Sequence, residues 1–133
     1  MEYNFVWTAP SGGAPVVSVA SYGITFNGVV IEMMHRPNKI MMGYDDGKKV
    51  VGFKAIYKSE GENEKCFPFI ERERNGYVRL GNKDFVKYLA NRTGLDFKKS
   101  TRYIGVWDEE QKLLTINLME PMDQVTEIEE VQE

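Results

Sequence analysis

Apolar residues along the chain recur mostly every second position in short runs broken by turn residues, and two stretches carry them at helical spacing instead. Val16 to Ser21 and Ile24 to Phe26 read as strands joined across Tyr22-Gly23, where glycine meets the turn geometry at no steric cost. Asn27 is placed to cap a helix from Gly28 to about His35, bounded by Pro37. Ile40 to Tyr44 and Val50 to Ile56 form a hairpin across Asp45-Asp46-Gly47. The pattern then starts again. Phe67 to Arg72 and Tyr77 to Leu80 are strands joined through Asn75-Gly76. Next comes a helix from Lys83 to Thr93, with Asn82 as cap, Gly94 as stop and an apolar stripe of Phe85, Val86 and Leu89. A closing hairpin pairs Arg102 to Trp107 with Leu113 to Met119.

The order β-β-α-β-β is thus written twice. Tyr44 to Phe53 aligns without a gap, 63 positions later, with Trp107 to Ile116. Upstream, Pro15-Val16-Val17 followed by Gly23 matches Pro68-Phe69-Ile70 followed by Gly76 at a spacing of 53, which implies an insertion of ten residues in the second copy. The repeats span 15–56 and 68–119 within one domain of residues 1–119. Residues 57–67, containing KSEGENEK, form a polar linker, and 120–133 an acidic tail. One unit has too little apolar face for its own core. Two units can close a small barrel filled by Val50, Val51, Phe53, Leu113, Leu114, Ile116, Ile24, Phe26 and Leu80, with the helices as caps and no exposed strand edge. The expected class is mainly β with two short helices, α+β.

SYGITFNGVVIEMM followed by NKIMMGYDDGKKVVGFKAI resembles the Gly-led strand, short helix and closing hairpin of the AbrB and MraZ-like swapped-hairpin barrels. The resemblance covers Pro15 to Ile56 and again Pro68 to Met119, on loose patterns of apolar and turn residues. It implies a barrel and a DNA-binding transcription regulator, with arginines in the first hairpin loop and near the helix start approaching DNA. The first copy offers Ser18, Ser21, Thr25 and Gly28 at those places and no arginine; the second has Arg72, Arg74 and Arg79, with Lys83 opening the helix. This departure weakens symmetric major-groove reading, because a two-fold reader presents the same contacts from both halves.

Composition narrows the classes. With 133 residues, 42% hydrophobic and 28% charged, the chain suits one globular domain that needs no disulfide, and its single cysteine could form none internally. The longest apolar runs fall far short of a membrane span, and Met1 to Pro10 has neither the positive start nor the apolar core of a signal peptide, so a cytoplasmic location is expected. The net charge of −3 hides an uneven distribution. Met1 to Ile70 has seven basic and seven acidic residues, Glu71 to Arg102 nine against four, and Tyr103 to Glu133 one against nine.

The basic segment is the leading functional candidate: Arg72, Arg74, Arg79, Lys83, Lys87, Lys98, Lys99 and Arg102, with Arg92 among them. Such groups on a rigid scaffold neutralise phosphates and release counterions. The competing reading is a solvated surface in which Arg72 and Arg74 pair with Glu71, Glu73 or the tail, and the acidic pI favours it. His35 stands alone, so no catalytic arrangement needing a second histidine can be built. Cys66 reads as a small buried hydrophobe, the acids of the two hairpins as turn formers, and Met33, Met34, Met41 and Met42 as core fillers or a dimer contact. Neither GxGxxG nor GxxxxGK[ST] is present. No metal, cofactor or enzymatic activity is expected. Two functions stay open: a regulatory domain binding double-stranded DNA through the second copy, or a protein-interaction scaffold, either one as a homodimer. In the first, the acidic tail would compete with DNA.

Overall fold

Alternation and capping produce most of the architecture. The computed structural model describes residues 2–4, 13–57 and 65–122; most of the KSEGENEK stretch and the tail from Asp123 onward lie outside the described residues. Among these the order is β1 (Val16–Ala20), β2 (Gly23–Phe26), α1 (Gly28–Met33), β3 (Lys39–Asp45), β4 (Val50–Ile56), β5 (Phe67–Pro68), β6 (Glu73–Arg74), β7 (Tyr77–Gly81), α2 (Lys83–Thr93), β8 (Thr101–Ile104), β9 (Val106–Asp108) and β10 (Leu113–Asn117). The strands pair antiparallel as two five-stranded sheets, β6-β7-β2-β1-β8 and β5-β3-β4-β10-β9. The chain is therefore mainly β with two helices. No helix among the described residues is long and apolar enough to cross a membrane.

Both expected caps form. The Asn27 side chain accepts from the Val30 N–H at 3.0 Å and that of Asn82 from the Phe85 N–H at 3.1 Å, each satisfying an orphan donor of the first turn. Gly94, with φ of 78°, stops α2 as expected. Helix α1 ends at Met33, two residues short of His35. His35 and Arg36 take left-handed φ values of 60° and 48°, and the Arg36 N–H reaches back to the Ile31 carbonyl at 3.0 Å, closing the last turn.

Two expected strands are broken, and each break moves the chain between sheets. Phe67 to Arg72 divides into β5 and a 3-10 turn at Ile70–Arg72, and β6 follows at Glu73–Arg74. Phe69 has turned inward, fully buried, with its ring edge-on to Phe26 at 5.0 Å, while its N–H bonds the Asn38 carbonyl. A regular strand would have carried Phe69 away from that contact. The run from Arg102 to Trp107 is split at Gly105: β8 pairs with β1, whereas β9 pairs with β10. The Gly105 N–H donates to the Pro15 carbonyl, and a Cβ there would lie 3.0 Å from the Leu114 side chain, so a larger residue would press on the core.

Between the sheets lies one apolar cluster. Ile24, Phe26, Val51, Phe53, Leu114, Ile116 and Leu80 are buried in it as expected, with Phe26 also edge-on to Phe53. Val50 and Leu113, expected inside, are only half-buried, because they precede Val51 and Leu114 and strand alternation sends them to the opposite face. Of the methionines, Met34 is fully buried, and Met33 and Met42 pack against the cluster.

The matched segments meet at the middle of each sheet. Strands β4 and β10 pair with Gly52 opposite Thr115, two positions that the 63-residue match equates. Strands β2 and β7 pair with Thr25 opposite Arg79. There the inward residues, Ile24 and Phe26 against Val78 and Leu80, are equated by a spacing of 54 rather than 53. The glycine-to-glycine frame sets buried Ile24 against exposed Tyr77, the consequence of a one-residue slip in a strand.

Candidate functional site

The β6–β7 hairpin carries Arg74 and Arg79, which no described carboxylate binds. Asn75 and Gly76, both left-handed at φ of 54° and 83°, make the two-residue turn that sets Arg74 opposite Tyr77. Cross-strand partners point to one face. The outer face of the first sheet therefore presents Arg74 beside Tyr77, and next to them a row Arg79, Thr25, Ser18, Arg102 running across β7, β2, β1 and β8. The 3-10 turn brings Arg72 to the same place. Arg72, Arg74 and Arg79, with Thr25, Asn75 and Tyr77, line an open depression of about 660 Å³. A neighbouring depression is lined by Val16, Ser18, Thr25, Asn27, Tyr77 and Arg102. Tyr77 and Thr25 form the wall common to both.

No acid among the described residues binds Arg72, Arg74 or Arg79. Arg36, held at the end of α1, binds Glu73 and Glu32 at 2.6 Å each, and these hydrogen bonds, Glu73 first, raise its affinity for its proton. With the Glu73 carboxylate occupied, Arg74 instead donates to the backbone carbonyls of Glu71 and Glu73 at 3.0 and 2.7 Å. Arg79 lies over the Tyr22 ring, 5.1 Å from its centroid. The Arg72 side chain has no partner among the described residues. The surface pairing of Arg72 and Arg74 with Glu71 or Glu73 carboxylates is thus not what the geometry holds.

Other basic residues lie elsewhere. Lys83 and Lys87 are exposed on α2, and Lys98 and Lys99 are exposed between α2 and β8; none of the four lines either depression. Arg92 is tied to Asp46. Four of the eight expected residues, Arg72, Arg74, Arg79 and Arg102, therefore gather on one face. Sequence reasoning assigned Ser18 and Thr25 to the first copy's contact positions, and they sit between Arg79 and Arg102. Tyr77 is not among the expected site residues, although its place next to inward Val78 in an alternating run signals exposure.

The acidic turns play two roles. Asp45 accepts from the Lys48 N–H and Asp108 from the Gln111 N–H, both at 3.1 Å, which is the expected turn chemistry. The acid after each does something the sequence did not announce. Asp46 accepts from Arg92 at 2.7 Å, and Glu109 pairs with His35 at 2.8 Å while also bonding Lys112 and the Trp107 ring N–H. The Arg92 hydrogen bond lowers the Asp46 pKa, and the His35 bond, followed by those of Lys112 and Trp107, lowers Glu109 to about 2. Cys66, expected to be buried, is half-buried. Among the described residues no three His, Cys, Asp or Glu side chains gather as a metal-binding group. Compared with family models, curated proteins and solved structures, the chain matches none.

Proposed function

We propose that the chain is a non-enzymatic nucleic-acid-binding module of regulatory type, built as a duplicated unit of AbrB/MraZ-like, barrel-forming design, that engages phosphates through the outer face of its first sheet. Three arginines, Arg72, Arg74 and Arg79, lining one depression with no carboxylate among the described residues bound to any of them, carry this reading. An arginine bound to a carboxylate would have to surrender it before meeting phosphate; these are bound to none among the described residues. The duplicated design is supported by the paired caps and by Gly52 facing Thr115. Double-stranded DNA is the partner the family resemblance implies, and a cytoplasmic setting accords with it.

The test uses a labelled DNA hairpin with a single-stranded overhang, which offers both forms of strand. Binding should weaken steeply with salt, with a slope of log affinity against log salt of about −3 for three to four neutralised phosphates. Replacing Arg72, Arg74 and Arg79 together by alanine should reduce affinity at least about tenfold and flatten that slope. Absence of salt-sensitive binding would discard the proposal.

A second reading has its own observation. Ile104, Val106 and Met119 are 42%, 63% and 52% exposed around one depression beside β9 and β10, more apolar surface than scattered exposure gives. They favour a protein-interaction scaffold or a homodimer contact. Sedimentation of the chain alone, with Val106→Lys as comparison, decides it: a dimer abolished by the substitution supports this reading, and a monomer in both removes the homodimer.

A further inference from the structure

The aromatic residues on the arginine face point to one form of nucleic acid over another. We propose that this face takes single-stranded nucleic acid, with Tyr77 as a stacking platform for a base and Arg72, Arg74 and Arg79 beside it holding the strand's phosphates. The inference rests on the nucleic-acid reading above and narrows its substrate class.

Tyr77 is 54% exposed on a sheet surface, yet it stands between two depressions, with Arg72, Arg74 and Arg79 in the first and Arg102 in the second. Its position beside these cations, rather than its exposure alone, is what suits it to a ligand that carries both a π-face and phosphates. A single strand can use it: its bases are free to splay out and lay a π-face on a tyrosine while the backbone runs past basic groups. A duplex cannot, because its base faces are already stacked on one another and only phosphates and groove edges are offered.

Neighbouring groups complete the platform. Tyr22, 40% exposed, keeps Arg79 in place under a cation–π contact, so that the guanidinium is presented without being neutralised. Thr25 lines the wall shared by both depressions, but its hydroxyl is buried and contributes no contact there. The Asn27 side chain is committed to Val16, Val30 and Ala14.

The experiment is fluorescence anisotropy on the full chain with a labelled 12-nucleotide single-stranded DNA and the same sequence as a duplex, at low salt. The proposal expects the single strand to bind about tenfold tighter or more. Tyr77→Ala should weaken single-strand binding about tenfold, Tyr77→Phe should retain it, and neither should alter duplex binding. Retained circular dichroism for both variants separates loss of contact from loss of fold. Duplex bound as tightly as single strand, with Tyr77→Ala without effect, would overturn the proposal and leave the phosphate-binding reading standing. Neither form bound would remove both.

Discussion

The turn joining β3 to β4 and the turn joining β9 to β10 are built alike and wired differently. Each begins with an aspartate that accepts from the N–H three residues on, and each ends on a left-handed lysine, Lys49 at φ of 59° and Lys112 at 54°. In each, the second acid bonds that lysine and reaches across to the end of a helix from the other half of the chain: Asp46 to Arg92 in α2, Glu109 to His35 just beyond α1. The local backbone solution is the same; the cation that answers it is not. In one turn the answer is the two-pronged guanidinium of Arg92, in the other the imidazole of His35. The arginine face shows the same division on a larger scale. Strands and caps recur in both halves, but Arg72, Arg74 and Arg79 belong to one. What recurs holds the fold, and what does not recur locates the candidate chemistry.

The comparison breaks most sharply at the two glycines that the sequence equates. At Gly23 an added Cβ would lie 2.1 Å from the Leu80 carbonyl oxygen, an overlap with paired backbone that no rotamer change relieves. Gly23→Ala is expected to destabilise the chain by about 4 kcal/mol or more, or to prevent folding. Gly76, with φ of 83°, meets nothing within 4 Å. There alanine should cost only the left-handed strain, about 1 kcal/mol. Urea denaturation of the two variants measures both, and equal losses would contradict the pairing of β2 with β7 drawn above.

A smaller contrast lies in the caps. Asn82 serves its helix alone, whereas Asn27 also accepts from the Val16 N–H and donates to the Ala14 carbonyl, stitching the start of β1 to α1. Asn82→Ala should cost about 1 kcal/mol. Asn27→Ala should cost about 2 kcal/mol, since two further hydrogen bonds go with it. Equilibrium denaturation orders the two, and an equal cost would show that the stitch to β1 adds nothing.

The smallest effect comes from the turns. Glu109 has a folded pKa of about 2, below its ordinary value of 4.5, so its contribution is present above about 4.5 and is lost as pH falls toward 2. Both partners are well exposed, so the stabilisation is slight. Melting temperature followed from pH 6 to pH 2 should fall a little less for Glu109→Gln than for the parent chain. Asp46→Asn should reproduce that flattening, because Arg92 lowers the Asp46 pKa in the same direction. Identical pH profiles for parent and variants would show that the ties are formed equally in the unfolded chain.

Local signals were legible along the sequence and inter-element ones were not. Asn27, Asn82, Gly94 and Asn75-Gly76 each act within a few residues, so their roles follow from spacing alone. The break at Phe69 required knowing that Phe26 waits across the interior, and the split at Gly105 required knowing that Pro15 and Leu114 crowd it. Neither is encoded in periodicity. The basic segment could be found by counting charge, but not sorted. Arg36, far upstream, is what removes Glu73 from Arg74, and Asp46 is what removes Arg92 from the candidates. Spacing within the segment carries no trace of these distant partners.

Amide chemical shifts of isotope-labelled protein, recorded as a short single-stranded oligonucleotide is added, test the central claim most directly. The account expects salt-sensitive changes concentrated at Ser18, Thr25, Arg74, Tyr77, Arg79 and Arg102, with Asp46, Arg92, Val106 and Met119 unmoved. Changes centred on Val106 and Met119, or none anywhere, would contradict it.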